Sequence, residues 1–212
     1  MPRTALSRPP VIYRKGLEMS GIGTVCVYCG SSGKGRESHR AAAVAFGRLL
    51  ADAGIRLVYG GGQVGLMGLL ANSAIDSGGT VIGIIPHFLD ELEVGNTRCT
   101  ELIRTPNMHE RKSKMAELSD AFVILPGGLG TLDETFEILT WRQLDLHDKP
   151  IVVVDVEGYW APLRAMVTHM ADEKYIAPEH LDLLTFVDSV EEVIATLNQA
   201  PPPTHPIDSK WT

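Results

Sequence analysis

The sequence predicts an α/β fold in which a doubly wound parallel sheet carries helices on both faces. Short β-branched, apolar runs alternate along the chain with longer amphipathic stretches, which is the pattern of βαβ units. The runs predicted as strands are almost entirely apolar, as a sheet covered on both faces requires. Glycine-rich loops follow two of these strands directly. Ligands of such sheets bind beyond the carboxyl ends of the strands, so these loops are the first candidates for a binding site.

The first predicted elements follow from the spacing of apolar residues. Thr24–Tyr28 is a short apolar run and predicts a strand. Glu37–Ala53 has apolar side chains at helical spacing, which indicates a helix, and Gly54 ends it. Ile55–Tyr59 is again mostly apolar and predicts the second strand.

The alternation continues through the third strand and then becomes less regular. Leu66–Asp76 predicts a helix, which the pair Gly78-Gly79 ends. Thr80–Ile85 predicts the third strand, closed by Pro86. Residues 87–106 show no clear period, so we predict no element there.

The second half of the chain repeats the same alternation. It contains three further predicted strands, namely Ala121–Leu125, Pro150–Asp155 and Leu183–Val187. It also contains four predicted helices, namely Met108–Leu118, Thr131–Leu144, Tyr159–Glu173 and Ser189–Asn198. We find no internal repeat.

Length and charge limit the organisation and the partners of the chain. The 212 residues suit one domain, expected over 21–199, with a flexible N-terminal extension at 1–20 and a Pro-rich tail at 200–212. Lys and Arg number 19 and Asp and Glu number 26, and this net charge of −7 argues against nucleic acid as a partner. No apolar run approaches the ~20 residues needed to span a bilayer, so no membrane partner is expected. The 3 cysteines, with no export signal, predict free thiols and a cytoplasmic location.

The first glycine loop has a G-x-G-x-x-G pattern at Gly60, Gly62 and Gly65, between the second strand and a helix. A dinucleotide site would carry an acidic residue about 20 positions later, but the third strand ends in Pro86-His87. A mononucleotide phosphate site is favoured over a dinucleotide site or a plain turn, because bare backbone N–H groups at a helix start attract anions.

The second glycine loop follows the fourth predicted strand and is the most informative stretch. Gly127, Gly128 and Gly130 let the backbone approach a ligand closely. The following helix points its unpaired N–H groups at the same place. Thr131 is expected to cap this helix or to donate its hydroxyl to a phosphate.

Glu134 lies three residues after Thr131, and this spacing has two interpretations. In the first, the two residues form a capping box, in which each side chain bonds the other's backbone N–H. In the second, Glu134 is a catalytic carboxylate at the rim of a phosphate site. The spacing by itself favours the capping box.

A basic segment, Met108-His109-Glu110-Arg111-Lys112, opens the helix that precedes this strand. Charged runs of this kind usually lie on a helix face that is exposed to solvent. Arg111 shares a face with Met108 and Met115, however, so its guanidinium need not point into bulk water. An arginine placed there could clamp a phosphate through two hydrogen bonds.

Taken in order, the segments 60–68, 108–112 and 126–134 resemble the LONELY GUY family of cytokinin riboside 5′-monophosphate phosphoribohydrolases, long labelled lysine decarboxylases. The resemblance extends from about Val25 to Val187. It implies a Rossmann-like fold, a homodimer and cleavage of the N-glycosidic bond of nucleotides such as cytokinin riboside 5′-monophosphates and AMP. We expect no cofactor and no metal. Lysine decarboxylation would need a lysine bound to pyridoxal phosphate, and no motif marks one.

The resemblance also assigns the site residues. The catalytic pair falls on Arg111 and Glu134. The glycosidic bond breaks through an oxocarbenium-like transition state. Glu134 would either stabilise the positive charge of that state or activate the attacking water. Arg111 would hold the phosphate or offset negative charge near the leaving base. Binding of the substrate falls on Gly61, Gly62, Met108, Lys112, Gly127, Gly128, Gly130 and Thr131. Leu129 stands where the dimeric members of the family often carry an aromatic residue.

Two other functions, a carrier and a redox protein, each fit part of the sequence. The chain could be a nucleotide-binding or molybdenum-cofactor carrier of the same fold that does not hydrolyse its ligand. Arg111 together with Glu134 favours the enzyme, because a pure phosphate binder has no use for that carboxylate. Cys26 and Cys29 match C-x-x-C, but a three-residue offset in a strand points their side chains to opposite faces, which argues against redox chemistry.

Overall fold

The computed structural model describes residues 21–93 and 95–200. The predicted N-terminal extension and the Pro-rich tail beyond residue 200 lie outside the described residues. The described chain forms a single α/β domain, as the sequence predicts.

Seven strands form one sheet in the order β4-β3-β2-β1-β5-β6-β7, and every neighbouring pair is parallel. The strands are β1 (Thr24–Tyr28), β2 (Arg56–Tyr59), β3 (Val81–Pro86), β4 (Glu101–Thr105), β5 (Ala121–Ile124), β6 (Ile151–Val154) and β7 (Thr185–Val187). The central strand β1 lies between β2 and β5, so the strand order reverses there. A crevice opens at such a reversal and is the usual ligand position in this kind of sheet.

Helices cover both faces of the sheet. They are α1 (Glu37–Asp52), α2 (Gly65–Asp76), α3 (His87–Glu93), α4 (Met108–Leu118), α5 (Leu129–Gln143), α6 (Ala161–Asp172) and α7 (Glu191–Gln199). Short 3-10 turns lie at Val156–Gly158 and Pro178–Leu183. Within the described ranges, no helix has the length and apolar character that crossing a bilayer demands.

The core has two halves, one on each side of the sheet. Helices α1, α2 and α7 bury apolar side chains such as Phe46 and Leu70 against one face. Helices α4, α5 and α6 bury side chains such as Met115 and Ile138 against the other face. The strand residues alternate between the halves, with Val25 and Val27 in the first and Cys26 in the second. This double coverage explains why the predicted strands are nearly all apolar.

The main departure from the predicted elements is the stretch 87–106, which contains helix α3 and strand β4. β4 is an edge strand that pairs only with β3. Four of its five residues are exposed or half-buried, and only Thr105 is buried. An edge strand lacks the continuous apolar run of a central strand, so the apolar pattern misses it.

Helix α4 occupies Met108–Leu118, as the sequence predicts. Asn107 caps it, because its side-chain oxygen accepts a 2.9 Å hydrogen bond from the backbone N–H of Glu110. Its amide also donates to the Glu110 carboxylate at 3.1 Å. The cap fixes where the helix begins and therefore which of its side chains turn towards the sheet.

Candidate functional site

Three chain segments meet at the carboxyl edge of the sheet, beyond β2, β1 and β5. Gly30, just after β1, donates its N–H to the carbonyl of Pro126 at 3.0 Å. Its own carbonyl accepts from the N–H of Leu66 at 3.0 Å. The loop after β1 thereby joins the two glycine loops that the sequence singles out.

The loop after β5 presents an open helix N-terminus. Gly128 is the residue before helix α5, and it is exposed together with Leu129 and Gly130. The first amides of a helix have no acceptor inside the helix and carry its positive partial charge. Gly128 and Gly130 also have no side chains to block a ligand. The unpaired amides and the open space together make the loop suited to bind a phosphate.

Thr131 does not cap helix α5, because the helix begins two residues earlier than predicted, at Leu129. The residue preceding the helix is Gly128, and no side chain caps it. The capping-box interpretation of Thr131 and Glu134 is therefore wrong. Thr131 is buried, and its side chain packs against Gly127. A Cβ built on Gly127 would lie only 2.1 Å from Oγ1 of Thr131.

Glu134 instead forms a buried ion pair with Arg111. Nη1 of Arg111 donates to Oε1 of Glu134 at 2.6 Å, and the two side chains are 8% and 9% exposed. Nε of Arg111 donates to the carbonyl of Ile84 at 3.1 Å. Helix α4 supplies the arginine and helix α5 supplies the glutamate. The structure thus brings together the two residues that the motif assigns to catalysis.

Gly60 leaves the space that the guanidinium occupies. A Cβ at this position would lie 2.2 Å from Nη2 of Arg111. The nearby Gly65 has φ +67°, and a Cβ there would lie 2.3 Å from the backbone of Ser31. The spacing of these glycines predicts a phosphate-binding loop. It does not predict that Gly60 makes room for the guanidinium of Arg111.

Burial dominates the electrostatics of Glu134. Desolvation raises the pKa of its carboxyl above the ordinary glutamate value. The guanidinium of Arg111 opposes that shift through its charge and its hydrogen bond, and the carboxylate of Asp133 adds to it. The result is a carboxylate held by one arginine in a poorly solvated place, as is common for catalytic groups.

Lys112 pairs with two carboxylates of α5. Its Nζ lies 3.0 Å from Asp133 Oδ2 and 3.2 Å from Glu137 Oε1. The lysine side chain is 10% exposed. Two consecutive residues of α4 therefore pair with two consecutive residues of α5, and this fixes the helices beside each other.

The remaining predicted binding residues lie at the rim of this arrangement. Gly61 has φ +76°, and its carbonyl accepts from the N–H of Asn96 at 2.9 Å. Gly62 forms an isolated antiparallel bridge with Gly95. Both glycines are buried, whereas the next two residues of the loop are exposed. Met108 is the first residue of α4 and is half-buried.

Cys26 and Cys29 lack the features of a redox pair. Cys26 and Cys29 belong to opposite halves of the core, as their offset predicts, and both are free thiols. Burial raises the pKa of both thiols, which opposes formation of the reactive thiolate. No group of three or more His, Cys, Asp or Glu residues with the geometry of a metal site occurs in the described ranges.

Comparison with known proteins finds relatives of similar sequence. Residues 67–197 match a family model described as possible lysine decarboxylase. A Rhodococcoides fascians protein named cytokinin riboside 5′-monophosphate phosphoribohydrolase is 43% identical over 175 residues, which are 82% of this chain and 88% of the relative. The Arabidopsis thaliana protein of that name, LOG1, is 39% identical over 186 residues, or 88% of this chain and 87% of the relative.

Solved structures share the fold at lower identity. The molybdenum cofactor carrier protein of Chlamydomonas reinhardtii superimposes with a TM-score of 0.63 at 23% identity, covering 84% of this chain and 96% of that one. The molybdenum cofactor binding protein of Rippkaea orientalis gives a TM-score of 0.62 at 20% identity, covering 82% and 94%. At these identities the likeness concerns the fold alone, which is the Rossmann-like α/β arrangement described above.

Proposed function

Because this chain belongs to the LONELY GUY family of cytokinin riboside 5′-monophosphate phosphoribohydrolases, we propose that it hydrolyses the N-glycosidic bond of such nucleotides. The products are the free base and ribose 5-phosphate. AMP is a further expected substrate, since it has the same phosphate, ribose and glycosidic bond.

One observation carries the proposal. The buried pair of Arg111 and Glu134, joined at 2.6 Å, links α4 to α5, and Glu134 lies five residues beyond Leu129, where α5 begins. A protein that only binds phosphate needs the helix start and gains nothing from a desolvated carboxylate nearby, because the carboxylate repels the phosphate. An enzyme that develops positive charge on a sugar carbon does need such a carboxylate.

In the reaction that we propose, a water oxygen bonds to C1′ of the ribose while the bond from C1′ to the base nitrogen breaks. The electron pair of that bond leaves with the base, which takes up a proton. The carboxylate of Glu134 stabilises the oxocarbenium-like charge on the sugar or accepts a proton from the attacking water. Arg111 keeps this carboxylate ionised and oriented through their hydrogen bond.

The phosphate of the substrate is assigned to the start of α5. Gly127, Gly128, Gly130 and Thr131 are the proposed contacts. Gly128 and Gly130 are exposed there, whereas Thr131 is buried with its Oγ1 against Gly127, so its hydroxyl reaches a phosphate only if it moves. Lys112 and Met108 remain predicted contacts, and Lys112 would have to exchange at least one of its two carboxylate partners to reach a phosphate. Gly61 and Gly62 remain predicted contacts at the rim. Binding energy from the phosphate would position C1′, so nucleosides without a phosphate should react poorly.

The first test is to incubate the purified protein with AMP and with isopentenyladenosine monophosphate and to follow the free base by chromatography. A clearly higher kcat/KM for the prenylated nucleotide would support a cytokinin-activating enzyme, and equal values would support a broader nucleotide hydrolase. Nucleotide binding without any release of base would contradict the proposal and favour a carrier.

The matching variant is Glu134→Gln, which keeps the size and a hydrogen-bond acceptor for Arg111 but removes the charge. We expect kcat to fall by about 10²–10⁴-fold while nucleotide still binds. Glu117→Gln is the control, because Glu117 lies on the surface of α4, where its 63% exposed side chain pairs with Lys114. Equal activity of the two variants would remove Glu134 from the mechanism.

We further propose a cytoplasmic homodimer. The family resemblance supports the dimer, and the three free thiols of Cys26, Cys29 and Cys99 support a reducing compartment. Light scattering on the purified protein tests the assembly, since a dimer has twice the 23.0 kDa mass of the chain.

A further inference from the structure

The turn between β6 and α6 reaches the phosphate-binding loop through one tyrosine. The hydroxyl of Tyr159 donates to the carbonyl oxygen of Gly127 at 2.5 Å. The two residues are 32 positions apart, so this contact depends on the sheet order, which places β6 beside β5. Nothing in the sequence motifs points to Tyr159.

The ring of Tyr159 is fixed on two sides. It makes an edge contact with the imidazole of His39, with ring centroids 5.0 Å apart. It makes a second edge contact with the indole of Trp160 at 4.8 Å. Both partners are buried, at 5% and 4% exposure, while Tyr159 keeps 39%. The phenol is therefore held in one direction although part of it faces solvent.

The backbone of the turn is restrained as well. Glu157 and Gly158 have φ values of 53° and 70°, in the left-handed region. A non-glycine residue in that region costs on the order of 1 kcal/mol, so other contacts must maintain it. The Glu157 carboxylate pairs with Arg36 at 3.2 Å, and the Asp155 carboxylate accepts from the N–H of Trp160 at 2.5 Å. The turn is thus attached to the start of α1 and to its own first residue.

The contact helps to fix the direction of the peptide between Gly127 and Gly128. The peptide between Gly127 and Gly128 is planar and trans, so its C=O and its N–H point in opposite directions. When Tyr159 holds the carbonyl, it also sets the direction of the Gly128 N–H. Gly128 is exposed, and a Cβ built there would meet nothing within 4 Å. Gly127 packs against Thr131 and Gly30, and the Gly128 carbonyl accepts from the N–H of Leu132 at 3.0 Å. The Tyr159 hydroxyl adds a hydrogen bond to the carbonyl of the peptide between the two glycines.

We propose that Tyr159 is a positioning residue for the phosphate-binding loop, acting through the Gly127–Gly128 peptide and making no contact with the reacting atoms. This inference rests on the proposed function, because it assigns the substrate's phosphate to that loop. It deepens the proposal by naming a residue that governs affinity for the phosphate and leaves the chemical step unchanged.

The test is Tyr159→Phe, which removes the hydroxyl and keeps the ring between His39 and Trp160. We expect KM for AMP to rise about fivefold to tenfold, as the loss of one hydrogen bond to an ordered loop predicts, with kcat within about twofold. The inhibition constant of ribose 5-phosphate should rise by the same factor, and kcat/KM for adenosine should stay unchanged. A purely structural role would lower the melting temperature without this split.

Tyr175→Phe is the matched control, because Tyr175 is 85% exposed and lies outside this loop. Unchanged KM and inhibition constant in Tyr159→Phe, or an equal change in both variants, would overturn the proposal. Calorimetric titration of each variant with ribose 5-phosphate keeps the test independent of turnover. A weaker dissociation constant in Tyr159→Phe alone would support the positioning role even if the protein hydrolysed no nucleotide.

Should Tyr159→Phe fail to fold, Arg36→Gln provides a second variant. It removes the ion pair to Glu157 at an exposed position and leaves every ring in place. We expect a smaller increase, of about twofold, in the same dissociation constant, because the turn that carries Tyr159 is less firmly attached. If Tyr159→Phe does not fold and the folded Arg36→Gln protein binds ribose 5-phosphate with unchanged affinity, the proposal is overturned. The tyrosine would then serve only to stabilise the fold.

Discussion

Glu134 illustrates how the partners of one side chain are set by its tertiary surroundings. A glutamate near the start of a helix commonly caps it, and the sequence spacing favours that role here. The structure instead directs the side chain into a buried pair with Arg111. The cost of desolvating the carboxylate is offset by the guanidinium and not by a backbone amide, so the group remains available for chemistry.

Acidification should inactivate the protein at a higher pH than an ordinary glutamate would predict. Burial raises the pKa of Glu134, and the carboxyl is protonated below that pKa, so kcat/KM for AMP should fall on the acid side from a pH above ~4.3. Lys112 lowers the pKa of Glu134 through its charge. Lys112→Met should therefore move the acid limb of the profile to higher pH.

Lys114→Met is the control for this pH profile. Lys114 lies on the same helix, but it pairs with Glu117 on the surface. Its removal should leave the acid limb where it is. An acid limb that stays in place in Lys112→Met, or one that moves to lower pH, would contradict the role of Glu134 as the group that must be ionised.

At the scale of elements, helices α1 and α2 pack against each other through a glycine. A Cβ on Gly47 of α1 would lie 2.3 Å from the carbonyl oxygen of Leu70 and 3.0 Å from the backbone nitrogen of Ala74. The hydroxyl of Ser73 also donates to the carbonyl of Val44 at 2.7 Å. This close approach holds α2 in place, and α2 begins at the glycine loop that accommodates Arg111.

Gly47→Ala should therefore destabilise the protein despite the better helix propensity of alanine. Alanine gains about 1 kcal/mol in a helix, but overpacking against backbone atoms costs about 1–3 kcal/mol and requires the helices to move apart. Contacts with backbone atoms favour the upper end of this cost, so we expect a net loss of up to about 2 kcal/mol in the free energy of unfolding, measured by urea denaturation. Gly33→Ala is the control, since a Cβ there meets nothing within 4 Å. Unchanged or greater stability of Gly47→Ala would show that the helices separate at no cost.

At the scale of the whole molecule, the site exists only in the folded chain. Its parts come from the ends of β1, β2 and β5, which are distant in sequence and adjacent in the sheet. A ligand that needs all of these parts binds the folded state and not the unfolded one. Ligand binding must then stabilise the fold by linkage.

In the Glu134→Gln variant, which should bind the nucleotide without hydrolysing it, AMP at 100 times its dissociation constant should raise the free energy of unfolding by about 2.7 kcal/mol. For a chain of this size, that corresponds to an increase of roughly 5–10 °C in the melting temperature, which calorimetry or fluorescence can measure. Adenosine at the same concentration should give a much smaller increase, because it lacks the phosphate. Equal increases from the two compounds would place the binding energy on the base and away from the start of α5.

Features that depend on neighbouring residues can be predicted from the sequence. Apolar runs and helical spacing predict the central strands and the bounds of α4, because a doubly covered sheet must be apolar along each strand. The motifs also indicate both members of the proposed catalytic pair, since glycine loops after strands and a basic helix start are local patterns from which the family resemblance is recognised.

Features that depend on contacts between distant segments are visible in the folded structure alone. The apolar pattern does not predict strand β4, because this edge strand has no continuous apolar run. The pairing of Arg111 with Glu134, of Lys112 with Asp133 and of Tyr159 with Gly127 joins residues 21 to 32 positions apart. Those partners are set by which strands neighbour each other and by where α4 and α5 lie on the sheet, and local periodicity carries no information about either.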